Sequence, residues 1–512
     1  MADWTAGYVA DIGYTYGYYA ELNPIRSRLA LLNAKLTFPE IQTACELGFG
    51  QGLSTNIHAA ASATQWYGTD FNPSQAAFAQ ELAAKAGAGT KLWDEAFADF
   101  AHRSDLPDFD FIGLHGIWSW ISDSNRTVIV DFIRRKLKVG GVLYISYNTL
   151  PGWASFAPIR HLMTEHAGRL GAEGSNIVDR IDDAIDFAGR LLKTNPLFAS
   201  ANPQIADRIE KLKGQDRHYL AHEYFNRDWH PMHFGTMAEW LAPAKVSYAC
   251  SAHYPDHVNA INLTAEQQAF LNEVSDPIIR ESVRDFMVNQ QFRRDYWVKG
   301  PRTLAPLAHA EALRAQRVVL IPPRDKVSLT VKGPLGDGNM SASIYNPILD
   351  TLADRKPKSL GQIEKELAGH PEVRFSHILE AALLLGGTCA VVAVQDDAVI
   401  AKARKQTERL NATLIDRARS SSDINHLACP LTGSGINVLR FHQLFLYALT
   451  HGRKTPAEWA EMVWDIISVQ GHKLVREGVT LESKEDNLAQ LAVEAELFAR
   501  EGLPGLKALG VI

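Results

Sequence analysis

Cysteine is scarce in this chain. Four occur in 512 residues, Cys45, Cys250, Cys389 and Cys429. They are far apart and form no CxxC pair, which excludes a disulfide framework and fits a reducing compartment. Long apolar runs are also missing. The longest, Ala381 to Val394, has 14 residues, whereas a membrane-spanning helix needs about 20, so it reads as buried core. There is no positive excess: 52 basic against 58 acidic side chains give a net charge of −6. Nothing global therefore suggests nucleic-acid binding. The first residues, MADWTAGYVADIGYTYGYY, lack a basic start and an apolar stretch and carry Asp3 and Asp11. That argues against a secretory signal, and a cytoplasmic protein is expected. Tandem repeats and low-complexity tracts are absent as well.

What is present is ordinary globular composition, 46% hydrophobic and 21% charged, in a chain long enough for about three or four domains. Strand and helix patterns alternate through the first 150 residues. Ile41 to Leu53 reads as a strand, a glycine turn and a helix start. Gln65 to Thr69, Lys91 to Trp93, Phe109 to Leu114 and Val142 to Tyr147 read as further strands, with Lys138 to Gly141 as a turn. Pro73 to Ala86 and Arg126 to Leu137 read as helices. This alternation implies a parallel, doubly wound α/β sheet. After Pro151 the pattern becomes helical over 155–225. Lys245 to Ala252 and Arg294 to Val298 are expected to supply the last two strands. The helical block is then either a cap over the site or a separate helical domain. Residues 303–395 read as helix, helix and a short β-pair, similar to a winged helix. Residues 396–512 read as helical, interrupted by the loop Cys429 to Gly435. The expected boundaries are 1–154, 155–302, 303–395 and 396–512.

The segment Glu46-Leu47-Gly48-Phe49-Gly50-Gln51-Gly52 carries the most chemical information. Glycines at 48, 50 and 52 allow a tight turn and close approach of backbone to ligand. By itself such a loop can be only a turn, but this one follows an apolar strand and opens a helix. It departs from the GxGxxG dinucleotide spacing. An acid two positions before the first glycine suits the amino group of a methionine moiety better than a pyrophosphate. Asp70 ends the next strand, where a carboxylate can accept hydrogen bonds from ribose hydroxyls. A helix N-cap is its bland alternative. Phe71 follows it. Asp94 or Glu95, after the third strand, is placed to meet an adenine amino group, or is a solvated acidic loop. His115-Gly116 ends the fourth strand, where a side chain can flank a transferring group; a core histidine is the alternative.

Aromatics crowd the same strand ends. Trp118, Trp120, Tyr147 and Trp153 follow the fourth and fifth strands, and Tyr14, Tyr16, Tyr18 and Tyr19 precede the first. Each alone reads as core; together they can form a pocket. His115, Tyr147, Asn148 and Trp118 are the candidate catalytic residues. Tyr14, Tyr16, Glu46, Gly48, Gly50, Gly52, Asp70, Phe71, Asp94, Glu95 and His115 are the candidate cofactor residues. Tyr147 to Pro151 sits where some amino-methylating families carry Asn-Pro-Pro-Tyr, but the prolines do not match and that role is not carried over. His218 and His222, with Glu223, His230 and His233 nearby, have zinc-like spacing without an HExxH; no metal is expected, and His222 and Tyr224 are read as substrate-facing or structural.

At these residues the chain resembles one family. YTYGYYAELNP (14–24), ELGFGQG (46–52), YGTDFNP (67–73), FDFIGLHGIWSWIS (109–122) and GGVLYISYNTLPGW (140–153) are similar to bacterial class I S-adenosylmethionine-dependent methyltransferases bearing a methyltransferase regulatory domain. The rickettsial protein lysine methyltransferases belong among them. YLAHEYFNRDWHPMHF (219–234) and FRRDYWVKGPR (292–302) resemble the regulatory region, and LACPLTGSG (427–435) resembles the tail. The resemblance implies a Rossmann-like sheet, S-adenosyl-L-methionine as cofactor and methyl transfer, and, by analogy only, a lysine acceptor in a protein or peptide partner. A small-molecule N- or O-methyltransferase and a non-catalytic adaptor with a vestigial site are the competing readings.

Overall fold

The computed structural model describes residues 15–170 and 176–512. Tyr14, expected at the cofactor, lies outside them. Seven strands build the central sheet: β1 Thr43–Leu47, β2 Gln65–Thr69, β3 Lys91–Trp93, β4 Phe109–Leu114, β5 Leu137–Asn148, β6 Val246–Ser251 and β7 Phe292–Lys299, in the order β3-β2-β1-β4-β5-β7-β6. Strands β1 to β5 are mutually parallel, and β7 runs antiparallel to both β5 and β6. Every residue of β4 is buried, as an inner strand covered on both faces requires. The chain winds outward from β1 to β3, then returns to place β4 on the other side of β1. Such a reversal leaves a crevice beyond the carboxyl ends of β1 and β4.

Helices α1 Pro24–Asn33, α2 Leu53–Ala61, α3 Pro73–Ala86, α4 Phe97–Ala101 and α5 Asp123–Lys136 flank these strands. Sequence chemistry sets their ends. Asn72 accepts from the Ser74 amide at 3.0 Å with Pro73 at the first helical position, and Gly87 closes α3 at φ 67°. Gly52, at φ 65°, starts α2; a Cβ there would lie 2.4 Å from Ala79 Cβ, so glycine permits α2 and α3 to pack closely. The segment Lys138 to Gly141 is not a turn between elements. Pairing jumps from Phe109–Leu137 to Phe111–Val142, so it is absorbed as a bulge inside β5, with Gly140 at φ 84°.

Between β5 and β6 six α-helices are described: α11 Phe234–Leu241 joins the core of the main sheet, and before it α6 Ala157–Arg169, α7 Ile177–Lys193, α8 Leu197–Ala201, α9 Ile205–Lys213 and α10 Arg217–Tyr224 form an inserted block. They share a small core that includes Phe156, Met163, Ile181, Ile185, Ile209 and Leu220. Arg160 ties α6 to the end of α10 by donating to the carbonyls of Tyr224 and Asn226 at 2.8 and 2.5 Å.

Beyond β7 a small three-stranded sheet forms in the order Lys358–Ser359, Arg317–Leu320, Val391–Ala393. Ser359 and Gln362 make the reciprocal capping box of the helix Leu360–Glu366, so that helix start was legible. The expected end strand is present as Val391–Ala393; the central strand, Arg317–Leu320, follows the helix Pro306–Ala315 and precedes the helices between 342 and 387, and after Val391–Ala393 the chain enters the long helix Asp397–Arg417. That long helix packs on the sheet's own helices. Its Thr407 hydroxyl donates to the Ala60 carbonyl at 2.8 Å, and Leu410 and Leu414 share a core with Leu53 and Ile57. Each fully buried side chain of that kind contributes about 1.5–3 kcal/mol. The segment expected as a loop, Cys429 to Gly435, is the turn of the hairpin His426–Cys429 and Ser434–Asn437. Among the described residues no helix is long and apolar enough to cross a membrane.

Candidate active site

A cavity of about 180 Å³ opens at the carboxyl ends of β1, β2 and β4. Its floor is the glycine loop. Gly48, Gly50 and Gly52 all have positive φ, 72°, 56° and 65°. A Cβ on Gly48 would stand 2.5 Å from the Ile117 side chain. Asp70 holds the loop from below: one carboxylate oxygen accepts from the Gly50 amide at 2.8 Å, the other from the Asn72 amide at 3.0 Å. Asp70 is therefore not the helix cap; Asn72 is. Burial pushes the Asp70 carboxyl up to about 6, opposed by those two amides.

Glu46, at the end of β1, lies beneath the same cavity and is 2% exposed. The Thr55 hydroxyl donates to its Oε2. Burial raises its carboxyl to about 8, with the Asp70 charge adding to the effect. Its Oε1 has no hydrogen-bonding partner among the described residues. A carboxylate oxygen on the cavity lining can accept a hydrogen bond from a ligand there.

His115 follows β4 and lines the cavity wall. Its Nδ1 lies 2.8 Å from the Tyr144 hydroxyl, and its ring stacks on Tyr19 with centroids 3.6 Å apart. Burial pushes its imidazolium down to about 4, so the ring is uncharged at neutral pH. Nε2 has no hydrogen-bonding partner among the described residues. Opposite stand Trp120 and Ile121, the α5 residue Asn125, and three groups from the inserted region, His222, Glu223 and Asp228. Of the inserted helices α10 reaches the cavity, with Asp228 just after it, and the block is called a cap in that sense.

The expected residues divide accordingly. Glu46, Gly48, Gly50, Asp70, Phe71 and His115 line the cavity. Gly52 serves helix packing just behind it. Asp94 is exposed, and Glu95 is paired to Arg103 at 2.6 Å; neither lines the cavity, whereas their neighbours Ala96 and Phe97 do. Tyr16 turns away to pack on Phe78 and beneath Arg417. Tyr147 does not line the cavity: its hydroxyl donates to Asp295 at 2.9 Å in a buried cluster with Arg293. Trp118 is buried with its indole N–H on the Met232 sulfur at 3.3 Å. Asn148 is buried, its amide held by Ser119 Oγ at 2.8 Å. Tyr224 sits in the cap core, while His222 faces the cavity. No group of three or more side chains among the described residues is arranged to hold a metal ion. Asp228 was not expected at the site, Glu223 was named only beside the histidines of zinc-like spacing, and Trp120 only among the strand-end aromatics; the fold shows that Trp120 and not Trp118 lines the cavity.

Two family models match the parts just described, "Methyltransferase domain" over residues 45–145 and "Predicted methyltransferase regulatory domain" over 216–299. An uncharacterized protein of Synechocystis sp. is 40% identical over 513 residues, covering 99% of both chains. The chain belongs to the class I S-adenosylmethionine-dependent methyltransferases that carry a regulatory domain. An uncharacterized protein of Rickettsia prowazekii is 30% identical over 213 residues, 38% of this methyltransferase and 36% of that protein. Among solved structures, PKMT2 from Rickettsia typhi in complex with AdoHcy shares the fold of the methyltransferase with a TM-score of 0.69, at 17% identity, covering 98% of this chain and 100% of that one. The regulatory-domain match runs from the last cap helix through β6 and β7, so this region both completes the sheet and walls the site.

Proposed function

We propose that this methyltransferase methylates the side-chain amine of lysine in a protein or peptide partner, in the cytoplasm. The observation that carries the reading is the meeting of Trp120, Glu223 and Asp228 with Asp70 and His115 around one cavity. Carboxylates and an aromatic face attract a cationic amine. Enclosure beneath the cap then disfavours its charged form and promotes loss of the proton. The free thiols fit a reducing compartment: Cys45, Cys250 and Cys429 are buried.

The residues present fit the cofactor. Glu46 lines the cavity and can accept from its amino group through Oε1, Asp70 stands at the β2 end for the ribose hydroxyls, Gly48 and Gly50 leave room for close approach, and Phe71, Ala96 and Phe97 offer apolar walls for the base. When bound, S-adenosylmethionine supplies a methyl group on a positively charged sulfur. The protein's part is then alignment and exclusion of water. His115, uncharged and fixed by Tyr144 and Tyr19, orients the acceptor nitrogen through Nε2. PKMT2 of Rickettsia typhi was solved with AdoHcy, and the shared fold supports the same pocket here.

The test is incubation with methyl-labelled S-adenosylmethionine and cell extract, followed by mass spectrometry. Label on lysine Nζ of a protein is expected. Label confined to small molecules would establish the metabolite reading instead, and no transfer to any acceptor would favour an adaptor.

A further inference from the structure

A second cavity, about 570 Å³, lies between the amino-terminal segment, the small three-stranded sheet and the carboxy-terminal hairpin, and shares no lining residue with the first. Arg26 lines it and is 8% exposed. Its Nη1 donates to the Gly386 carbonyl at 2.9 Å, and the guanidinium lies 4.0 Å from the centre of the Tyr254 ring. Nε is buried without a hydrogen-bonding partner. The nearby carboxylate, Glu21, is paired with Arg294 at 2.9 Å. No carboxylate among the described residues forms an ion pair with Arg26.

Three costs coincide at this side chain. A buried cation shares the charge of the nearby carboxylate, Glu21, with Arg294, so the two guanidinium groups face one negative charge. It stands in the first turn of α1, where the helix dipole already presents its positive end. One of its donors is unsatisfied. An anion seated on the guanidinium would relieve the first two and occupy the remaining donors, since the planar fork matches a carboxylate. Glu21 also lines the cavity, and its negative charge favours a singly charged ligand over a dianion. Leu29, Val318 and Val391 supply an apolar wall.

The segment between the two cavities alternates sides. Tyr18 lines the second cavity and accepts the Gly435 amide at 2.7 Å, Tyr19 lines the first and stacks on His115, and Glu21 lines the second again. Adjacent residues of one short segment therefore wall both cavities. We propose that the second cavity is an effector site for a small organic carboxylate, bound through Arg26, and that its occupancy changes affinity at the cofactor cavity.

The full chain is tested by thermal unfolding and calorimetry with hexanoate and benzoate, against 1-hexanol and benzyl alcohol as uncharged matches. Both carboxylates should raise the unfolding temperature and the alcohols should not. Arg26→Gln should weaken carboxylate binding about tenfold or more, the scale of a lost charge-assisted hydrogen bond, while Arg26→Lys retains part of it. S-adenosylhomocysteine affinity should shift about fivefold or more in carboxylate-saturated protein. No stabilisation by either carboxylate, equal stabilisation by the alcohols, full binding by Arg26→Gln, or unchanged S-adenosylhomocysteine affinity overturns the proposal. Should Arg26→Gln fail to fold, the carboxylate-against-alcohol comparison on the wild-type chain decides it. S-adenosylhomocysteine binding is measured separately, so failure here is distinguishable from failure of the methyl-transfer reading.

Discussion

Glu46 should make cofactor binding a proton-releasing event. Burial raises its carboxyl from 4.5 to about 8, so at pH 7 the empty site holds it protonated. An ammonium group at Oε1 needs the ionised form. Binding at neutral pH therefore expels close to one proton, and each pH unit below 7 weakens binding by about tenfold, or about 1.4 kcal/mol. Asp70, raised to about 6, adds a further factor of about two between pH 7 and 6. Above about pH 8 the free ligand's own α-amino group loses its proton, so affinity peaks near pH 8. Glu46→Gln should flatten this profile and weaken binding at the optimum by about 1.5–3 kcal/mol, the scale of a hydrogen bond to a charged group. The same substitution has an opposite effect on the empty protein. A carboxyl whose folded value lies above its unfolded value favours the folded state at low pH, and that contribution is lost as pH rises from 4.5 towards 8. Glu46→Gln removes this loss, so the variant should gain thermal stability relative to wild type across that window. Calorimetry with S-adenosylhomocysteine in two buffers of different ionisation enthalpy counts the protons, and scanning calorimetry follows stability. If wild type releases no proton at pH 7 and the variant shows the same pH profile, Glu46 does not hold the amino group.

Three further outcomes follow from the geometry. Asp70→Ala unpairs the Gly50 and Asn72 amides as well as the ribose hydroxyls, and should weaken S-adenosylhomocysteine binding by about 1–3 kcal/mol; unchanged affinity by calorimetry removes Asp70 from that role. His115→Ala should slow single-turnover methyl transfer by about a hundredfold, the cost of a positioning error, with cofactor affinity nearly retained; an unaltered rate places the acceptor elsewhere. Tyr147→Phe removes one hydrogen bond from Asp295, which keeps Arg293, and should cost about 1 kcal/mol of stability on denaturant unfolding while leaving turnover unchanged.

The glycine loop, Asp70 and His115 were legible because their positions follow from local rules: positive φ demands glycine, and strand ends in a doubly wound sheet face the ligand. The seven strands were equally legible, since apolar runs separated by turns leave few alternatives. Tyr147 was not. It lies on a strand end like His115, but its hydroxyl partner, Asp295, is distant in sequence on β7, and the pairing of Tyr147 with Arg293 across the sheet is invisible without the fold. Trp118 and Trp120 differ only in which side of one short helical turn they occupy. Glu95 was claimed by Arg103 and replaced at the cavity by the apolar Ala96 and Phe97. The cap residues Glu223 and Asp228 carried no local signal for this cavity, because only the crossing from β5 to β6 brings them to it. The fate of residues 396–512 depended on a surface match: Leu410 and Leu414 look like any amphipathic helix until Leu53 and Ile57 meet them.

The cavity beyond β1, β2 and β4 should hold the methyl donor beside a neutral His115. A crystal structure with S-adenosylhomocysteine tests it most directly. The ligand's amino group should lie against Glu46, its ribose hydroxyls against Asp70 and its sulfur towards His115, with Trp120 and Glu223 facing the open side. A ligand bound elsewhere, or one in this cavity that leaves Asp70 bonded only to the Gly50 and Asn72 amides, would contradict it.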